Sequence, residues 1–528
     1  MTAAPPGESD DDVRPELAEL RERKALLADE ARPEAVAKRH STGRRTAREN
    51  LADLVDDDSF IEYGGLAIAA QRARREVEEL IERTPADGLI GGTARINGDD
   101  FGEDSACAVL SYDYMVLAGT QGVFGHRKKD RLFELIERMR LPTVIFAEGG
   151  GGRPGDTDYP VVSALDTRAF ALWARISGLA PRIAIVAGRC FAGNAVLAGS
   201  SDLIVATEDI ALGMGGPAMV AGGGLGEFAP EEIGPIGVQG PNGVVDVRVA
   251  DEAEAIAVTK KLLAFFQGPL TDWEAPDPEL ARNVVPESRR RAYDVHKAID
   301  AIADVGSVVH LRDEFAKVMV TSLARIEGRP VGIVANNPMQ MAGAITSDGA
   351  DKAARFMQLC DAYGIPILSL IDTPGMMVGP DAEATALVRH CSRLFNTGAN
   401  LRVPLIAVIL RKAYGLGAQA MAGGGLHEPL LTVGWPTAEL GAMGLEGAVR
   451  LGLRRELEAI ADPDERERRV REVTEHAHEH AKALNAATIF ELDDVVDPAD
   501  TRRLIAATLA AAGPASATDA PVRPVDAW

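Results

Sequence analysis

The chain has 528 residues, a hydrophobic fraction of 46%, and 56 Lys+Arg against 79 Asp+Glu, for a formal net charge of −23. That length exceeds what one hydrophobic core usually supports, so two domains are expected. The acidic balance excludes sequence-independent nucleic-acid binding, which needs a basic face, but leaves room for local Arg and Lys clusters that hold a small polyanion.

In chain order, residues 1–14 read as a disordered tail with no apolar core, so not as a secretory signal. No apolar run approaches the roughly 18 residues of a membrane helix. A cytoplasmic location without membrane attachment is therefore the expectation. Pro15 to His40 carries Leu17, Leu20, Leu26 and Leu27 among many charges, which predicts a surface-lying helix. The first domain, 15–270, then shows strand-like runs at Leu89–Ile96 and Ala106–Leu110, a helix over Asp130–Met139 and the strand Thr143–Ala147. Pro-rich 271–291 predicts a linker. The second domain, 292–512, repeats the pattern with strand Val331–Ala335, helix Asp351–Tyr363 and strand Ile367–Ile371. Alternation of this kind indicates α/β units. A charged helical segment, Arg454–Asn485, follows, and 513–528 reads as a second disordered tail. Cys107, Cys190, Cys360 and Cys391 are far apart without a CxxC pair, so reduced, buried thiols are expected rather than disulfides or a zinc ribbon.

The chain repeats itself once. Gly119 and Gly343 are 343 − 119 = 224 apart, and the same shift carries Gly125 to Gly349, Lys128 to Lys352, Arg131 to Arg355, Leu135 to Leu359, Pro142 to Pro366 and Gly193 to Gly417. Two copies of one fold can hold two different ligands.

Glycine-rich turns follow several apolar strands. Glu148-Gly149-Gly150-Gly151-Gly152 follows Thr143–Ala147, where glycine lets backbone approach a ligand or adopt positive φ. Without GxxxxGK[ST] a Walker site is not supported. A plain strand-to-helix turn is the competing reading. Its counterpart is Asp372-Thr373-Pro374-Gly375. Cys190-Phe191-Ala192-Gly193-Asn194 and its mate Tyr414-Gly415-Leu416-Gly417-Ala418 each close a strand and open a helix, leaving N–H groups that suit a developing oxyanion.

Motifs in order, among them Gly43-Arg44-Arg45-Thr46-Ala47-Arg48-Glu49, Asp87-Gly88-Leu89-Ile90-Gly91-Gly92, Glu327-Gly328-Arg329-Pro330-Val331-Gly332 and Trp435-Pro436-Thr437-Ala438-Glu439, resemble the carboxyltransferase (β) subunit of biotin-dependent acyl-CoA carboxylases, from about Arg39 to Leu509. The resemblance implies an α/β fold of two tandem crotonase-like domains related by internal duplication. It implies a hexamer, a trimer of dimers, with each active site where an N-domain meets a C-domain of another subunit. It implies transfer of a carboxyl group from carboxybiotin to the α-carbon of an acyl-CoA, with biotin itself as the base. Ala192 and Gly193 would then face the thioester oxygen, Leu416 and Gly417 the biotin oxygen. Gly149 and Gly150 would lie beside the acyl-CoA, Gly375 and Gly415 beside biotin, and Arg44, Arg45 and Arg48 would be candidates for the CoA phosphates. No biotinylation sequence and no ATP-grasp segment is apparent, so separate biotin carboxylase and biotin carboxyl carrier polypeptides (an α subunit) are expected as partners. No metal is expected on this chain.

The chain departs from the pattern at Glu148, where Ser is usual, at Asn194, at Gln239, where His is common, and at Met376, where Phe is common. The resemblance implies that Gln419 lies beside the second hole at a position that tunes acyl-chain choice in relatives, and glutamine there matches no standard substrate, which leaves the acyl chain unassigned. Alternatives are a biotin-dependent decarboxylase or transcarboxylase subunit, and a non-catalytic scaffold. A hydratase would need paired acids at the thioester, and Glu148 stands alone. His476, His478 and His480 are read as a solvated helix face rather than a metal site, with 478 pointing away from the other two. Met214, Met219 and the glycines at 222–224 suit either a lid or a surface loop.

Overall fold

The computed structural model describes residues 13–160, 163, 165–513 and 521–528. The chain divides into two compact units, Met1–Gln267 with Val522–Ala527, and Gly268–Pro521 with Trp528. The second unit thus begins before the expected linker. Within 271–291 a 3₁₀ helix, Pro278–Asn283, places Ala281 in the second core, with Val284 just after it.

The first unit is built on a seven-stranded sheet in the order Ile61–Glu62, Leu89–Arg95, Ala106–Tyr112, Thr143–Phe146, Arg182–Val186, Leu203–Thr207 and Val247–Val249. The first three strands are antiparallel and the rest run parallel from Ala106–Tyr112 onward. Parallel strands covered on both faces need apolar side chains at every position; Thr143–Phe146 and Leu203–Thr207 are buried throughout. Helix Val123–Met139 packs Leu132, Phe133, Leu135 and Ile136 inward and stops at Arg140, which adopts left-handed φ 53°. It begins nearly two turns before the sequence-based start at Asp130. Asp156 accepts the Val123 N–H and Asp87 the Gly125 N–H, so distant carboxylates cap a start that carries no local cap.

The second unit repeats the plan. Its main sheet runs Val309–Leu311, Met319–Ile326, Arg329–Asn336, Ile367–Thr373, Leu405–Tyr414, Leu431–Gly434 and Asp494–Val495, with Glu439–Gly441 pairing beside Leu405–Tyr414. Glu327 (φ 52°) and Gly328 (φ 74°) form a two-residue hairpin turn between its antiparallel strands.

The duplication is carried into the geometry. Ala108 pairs with Thr143 and Gly332 with Ile367, and both members of the second pair are shifted by 224 (332 − 108 and 367 − 143). The isolated bridges Gln121–Gly152 and Ile345–Met376 obey the same shift. Buried Lys128 donates to the carbonyls of Ala86 and Leu89, and its mate Lys352 donates to those of Arg312 and Phe315.

Three terminal and peripheral expectations meet the structure differently. Pro15–His40 forms two helices, Pro15–Ala25 and Pro33–His40, separated by the 3₁₀ turn Asp29–Ala31, with Pro33 at the first position of the second, where its missing N–H costs nothing. Of the two expected tails, 1–12 and 514–520 lie outside the described residues. Residues 521–528 are not a loose tail: Val525 is buried, its N–H donates to Ser177 Oγ at 2.9 Å, and Ser177 Oγ donates to its carbonyl at 3.1 Å. Arg454–Asn485 is broken into Arg454–Ala459, Pro463–His480 and the start of Ala483–Thr488.

Candidate functional site: two half-sites of one design

In the first unit, the strand Thr143–Phe146 runs into Glu148 and the short strand Gly149–Gly150. This pairs in parallel with Arg189–Phe191, which pairs with Ala211–Gly213. The Gly-Gly segment therefore lies beside the residues that open helix Gly193–Gly199. Gly149 has φ +94°, and a Cβ there would meet the Gly119 carbonyl oxygen at 2.5 Å. Only glycine lets these two backbones pass so closely.

Ala192 sits at φ 51°, ψ −122°, a conformation that costs an alanine of order 1–3 kcal/mol and marks a turn the surroundings enforce. Its N–H donates to the Gly213 carbonyl at 3.3 Å, so it closes the small sheet rather than facing outward, contrary to the paired-donor expectation. Gly193 and Asn194 follow in the first helical turn, whose N–H groups have no intrahelical acceptor. A Cβ on Gly193 would meet Gln121 Nε2 at 2.7 Å.

Beneath this turn lies a polar chain that sequence reasoning missed. Lys129 Nζ donates to Gln121 Oε1 at 2.8 Å, and Gln121 Nε2 donates to Asn194 Oδ1 at 2.6 Å. Asn194 Nδ2 donates to the carbonyls of Glu148 (2.7 Å) and Gly119 (3.2 Å). Asn194, a departure from the family pattern, thus ties the helix start to the Gly-rich loop. Burial pushes the Lys129 ammonium down to about 7, against the pull of Asp130 and Asp87.

Glu148 does not project into this turn as an acid. Arg39 holds it in a bidentate pair at 2.8 and 2.6 Å. Burial raises its carboxyl above the ordinary range, with Arg39 pulling against it. Arg44 lies against the adjacent turn, where a Cβ on Gly188 would meet its Cζ at 3.1 Å, and pairs with Asp209 at 2.6 Å. Arg45 is paired with Asp53 and Arg48 with Glu62, so the structure brings only Arg44 of the three beside the Gly-rich loop. A separate cavity of about 480 Å³ is lined by Arg23, Arg72, Arg127 and Arg131, none with a carboxylate partner among the described residues. Gln239 donates to the Leu212 carbonyl and acts as a brace.

The second unit presents the same construction. Strand Ile367–Thr373 leads into Pro374-Gly375, where Gly375 has φ +122° and its N–H donates to Thr373 Oγ1. Strand Leu405–Tyr414 leads into helix Gly415–Met421. A Cβ on Gly417 would lie 2.7 Å from Gly375 Cα, so the two glycines are in backbone contact. Gly415 (φ +56°), Leu416 and Gln419 line an open cavity of about 1120 Å³ together with Leu440, His480 and Phe490. Leu416 is exposed while Gly417 is buried. The floor is set by ions: Asp372, fully buried, takes Arg411 Nε at 3.0 Å and the Lys412 N–H at 3.2 Å. Glu439 gathers Arg289 (2.8 Å), Tyr414 OH (2.9 Å) and His478 Nδ1 (3.1 Å). The 476–480 histidines are thus not simply solvated, since His478 is bound inside and His480 faces the cavity. All four cysteines are free and buried. Met214 and Met219 are exposed, on and before the short helix Pro217–Gly222.

Residues 38–523 match the carboxyl transferase domain, and the chain belongs to that family. It is 32% identical over 497 residues to the methylmalonyl-CoA carboxyltransferase 12S subunit of Propionibacterium freudenreichii subsp. shermanii, covering 90% of each chain. It is 32% identical over 503 residues to the biotin-dependent long chain acyl-coenzyme A carboxylase beta4 subunit of Mycobacterium tuberculosis, covering 93% of this chain and 92% of that one. A solved single-chain, multi-domain long-chain acyl-CoA carboxylase is 55% identical with a TM-score of 0.90; the match takes in 94% of this chain but 49% of that one, so this chain spans about half its length. Transcarboxylase 12S, a hexamer solved with methylmalonyl-CoA bound, is 30% identical with a TM-score of 0.80 over 98% of both chains. The fold is therefore crotonase-like, as the resemblance implied.

Proposed function

We propose that the chain transfers a carboxyl group from carboxybiotin, carried on a separate polypeptide, to the α-carbon of an acyl-CoA. The observation that carries this reading is the pair of half-sites, one per unit, built at a single sequence shift from strand, tight glycine turn and helix start. One holds the thioester and the other the biotin ring.

In the first half-site the Gly193 N–H meets the thioester oxygen, and the charge that develops there as the α-proton leaves is stabilised by a donor already in place. Gly149 and Gly150 form the wall along which the acyl-CoA lies, and the Asn194–Gln121–Lys129 chain holds that wall to the helix start. Arg44 is the strongest of the three predicted phosphate ligands, because its partner Asp209 is exposed and can be displaced. In the second half-site Leu416 and Gly417 supply donors, and Gly375 and Gly415 leave room that a Cβ would fill. Biotin, when bound, supplies the carboxyl group and the base. This fits the residues present: Glu148 and the neighbouring Glu252 both pair with Arg39, and Glu252 also accepts from the Arg45 N–H and Asn50 Nδ2, so both acids beside the Gly-rich loop are engaged rather than free to act as a base.

The 55% likeness to a solved long-chain acyl-CoA carboxylase supports a long-chain substrate, while the long-chain beta4 and methylmalonyl-CoA 12S relatives, both 32% identical, do not separate the two chain classes. Partners would be biotin carboxylase and biotin carboxyl carrier polypeptides, the assembly a hexamer as in transcarboxylase 12S, and the location the cytoplasm. No helix among the described residues is long and apolar enough to cross a membrane. The test is fixation of ¹⁴C-bicarbonate with purified carboxylase and carrier partners over acyl-CoAs from C2 to long chain. Label should appear in acyl-CoA, with long chains preferred; CoA binding without any labelled product would leave the scaffold reading instead.

A further inference from the structure

Away from both half-sites, three side chains of the second unit converge. His296 opens helix His296–Ile302, His310 lies on the strand Val309–Leu311, and Asp313 follows three residues later. One ring nitrogen of each histidine and one carboxylate oxygen of Asp313 all lie within 4.8 Å of one another. The two rings stand edge to face with centroids 4.7 Å apart. The histidines are half-buried and Asp313 is exposed.

Each ring is already oriented from behind. His296 Nδ1 is 2.6 Å from Asp294 Oδ1, and His310 Nδ1 is 2.8 Å from Ser322 Oγ on the neighbouring strand. A carboxylate on one ring nitrogen fixes the tautomer and turns the other nitrogen's lone pair outward, which is how metal-binding histidines are held, and the Ser322 hydroxyl is able to accept from His310 Nδ1 in the same way. With Nδ1 engaged in both rings, Nε2 is the atom left to each. Two imidazoles and a carboxylate whose ligand atoms gather within 4.8 Å of one another form a donor set that a cation between them would hold together.

We propose that His296, His310 and Asp313 bind a divalent ion of the zinc class, one per chain. Two imidazoles and one carboxylate suit zinc, whereas magnesium and calcium prefer all-oxygen shells. Zinc–ligand bonds of about 2.0–2.2 Å place ligand atoms at most about 4 Å apart. The exposed Asp313 side chain can close the remaining gap by a change of rotamer, leaving a fourth position for water. Such an ion ties the start of helix His296–Ile302 to the strand Val309–Leu311 across residues 303–308, and so acts as a staple at the edge of the second sheet. The spacing H-x₁₃-H-x₂-D matches no common metal motif, which is why the sequence predicted no metal on this chain.

The test uses the full chain, stripped with EDTA and dialysed. Titration with zinc chloride should register one equivalent bound and raise the melting temperature, and magnesium should do neither. His296→Gln/His310→Gln should lose that equivalent, while His476→Gln/His480→Gln, altered at the other histidine cluster, should keep it. Independently of any variant, cobalt(II) on the wild-type chain should give the visible absorption of a four-coordinate nitrogen–oxygen site. Loss of the equivalent from the 476/480 variant instead, retention by the 296/310 variant, or no stoichiometric binding and no cobalt band, overturns the proposal.

Discussion

Lys129 shows what the first half-site costs and how it is held. Its ammonium is buried with a single side-chain acceptor, Gln121, and burial lowers it to about 7 from the ordinary 10.5. Between those values the unfolded chain binds a proton that the folded chain does not, so stability rises with pH there, by about 1.4 kcal/mol per pH unit for this group. Below about 7 both states are protonated and the slope vanishes. Lys129→Met should therefore flatten the rise in unfolding free energy between pH 7 and 10, as urea titrations at each pH would show; an unchanged slope would mean the ammonium is solvated. Asn194 was visible in the sequence only as an oddity beside a glycine. Its meaning came from Gln121, 73 residues away, and from carbonyls at Gly119 and Glu148, none of which any local pattern connects. Arg39 was hidden for the same reason, since its partner Glu148 lies 109 residues on. Ala192 was placed correctly at the turn, but its N–H is taken by Gly213, a partner supplied by a small sheet of strands two and three residues long.

At the scale of elements, the duplication was legible because glycines and buried cations recur where backbone geometry demands them. Gly119 and Gly343 both take positive φ beside the strand that ends in the half-site, and Lys128 and Lys352 both cap carbonyls of the preceding loops. Strands were legible because parallel, doubly covered strands are continuously apolar. Helix starts were not: Val123–Met139 is capped by Asp87 and Asp156, remote in sequence. The hairpin at Glu327-Gly328 shows the demand at its sharpest. Gly328 has φ 74°, and an added Cβ would collide with the Leu270 carbonyl oxygen. Gly328→Ala should cost at least about 1–2 kcal/mol from the left-handed conformation alone, more with the collision. Chemical denaturation measures it; wild-type stability would mean the turn has another form.

For the whole molecule, composition argued against a nucleic-acid binder, and it also suggested a loose C-terminus, because Ala, Pro and Asp dominate 513–528. The last residues are held instead by main-chain and hydroxyl bonds that composition does not encode. Val525 is buried against Ser177, and a Cβ on Gly178 would strike the Arg523 carbonyl. Truncation after Gly513 should lower stability by roughly 1–3 kcal/mol through the lost apolar burial and the unpaired Ser177 hydroxyl. An unchanged melting temperature would show that the segment contributes nothing.

The claim on which the functional account rests is that a main-chain donor at the start of helix Gly193–Gly199 stabilises the thioester oxygen. Proline is tolerated at a first helical position, so Gly193→Pro removes that N–H with little cost to the helix, although its ring must displace Gln121. The decisive measurement is the turnover number for carboxyl transfer to acyl-CoA by this variant, with folding verified by its melting curve. The account predicts a fall of about 10²–10³-fold. A folded variant that turns over at the wild-type rate would contradict it.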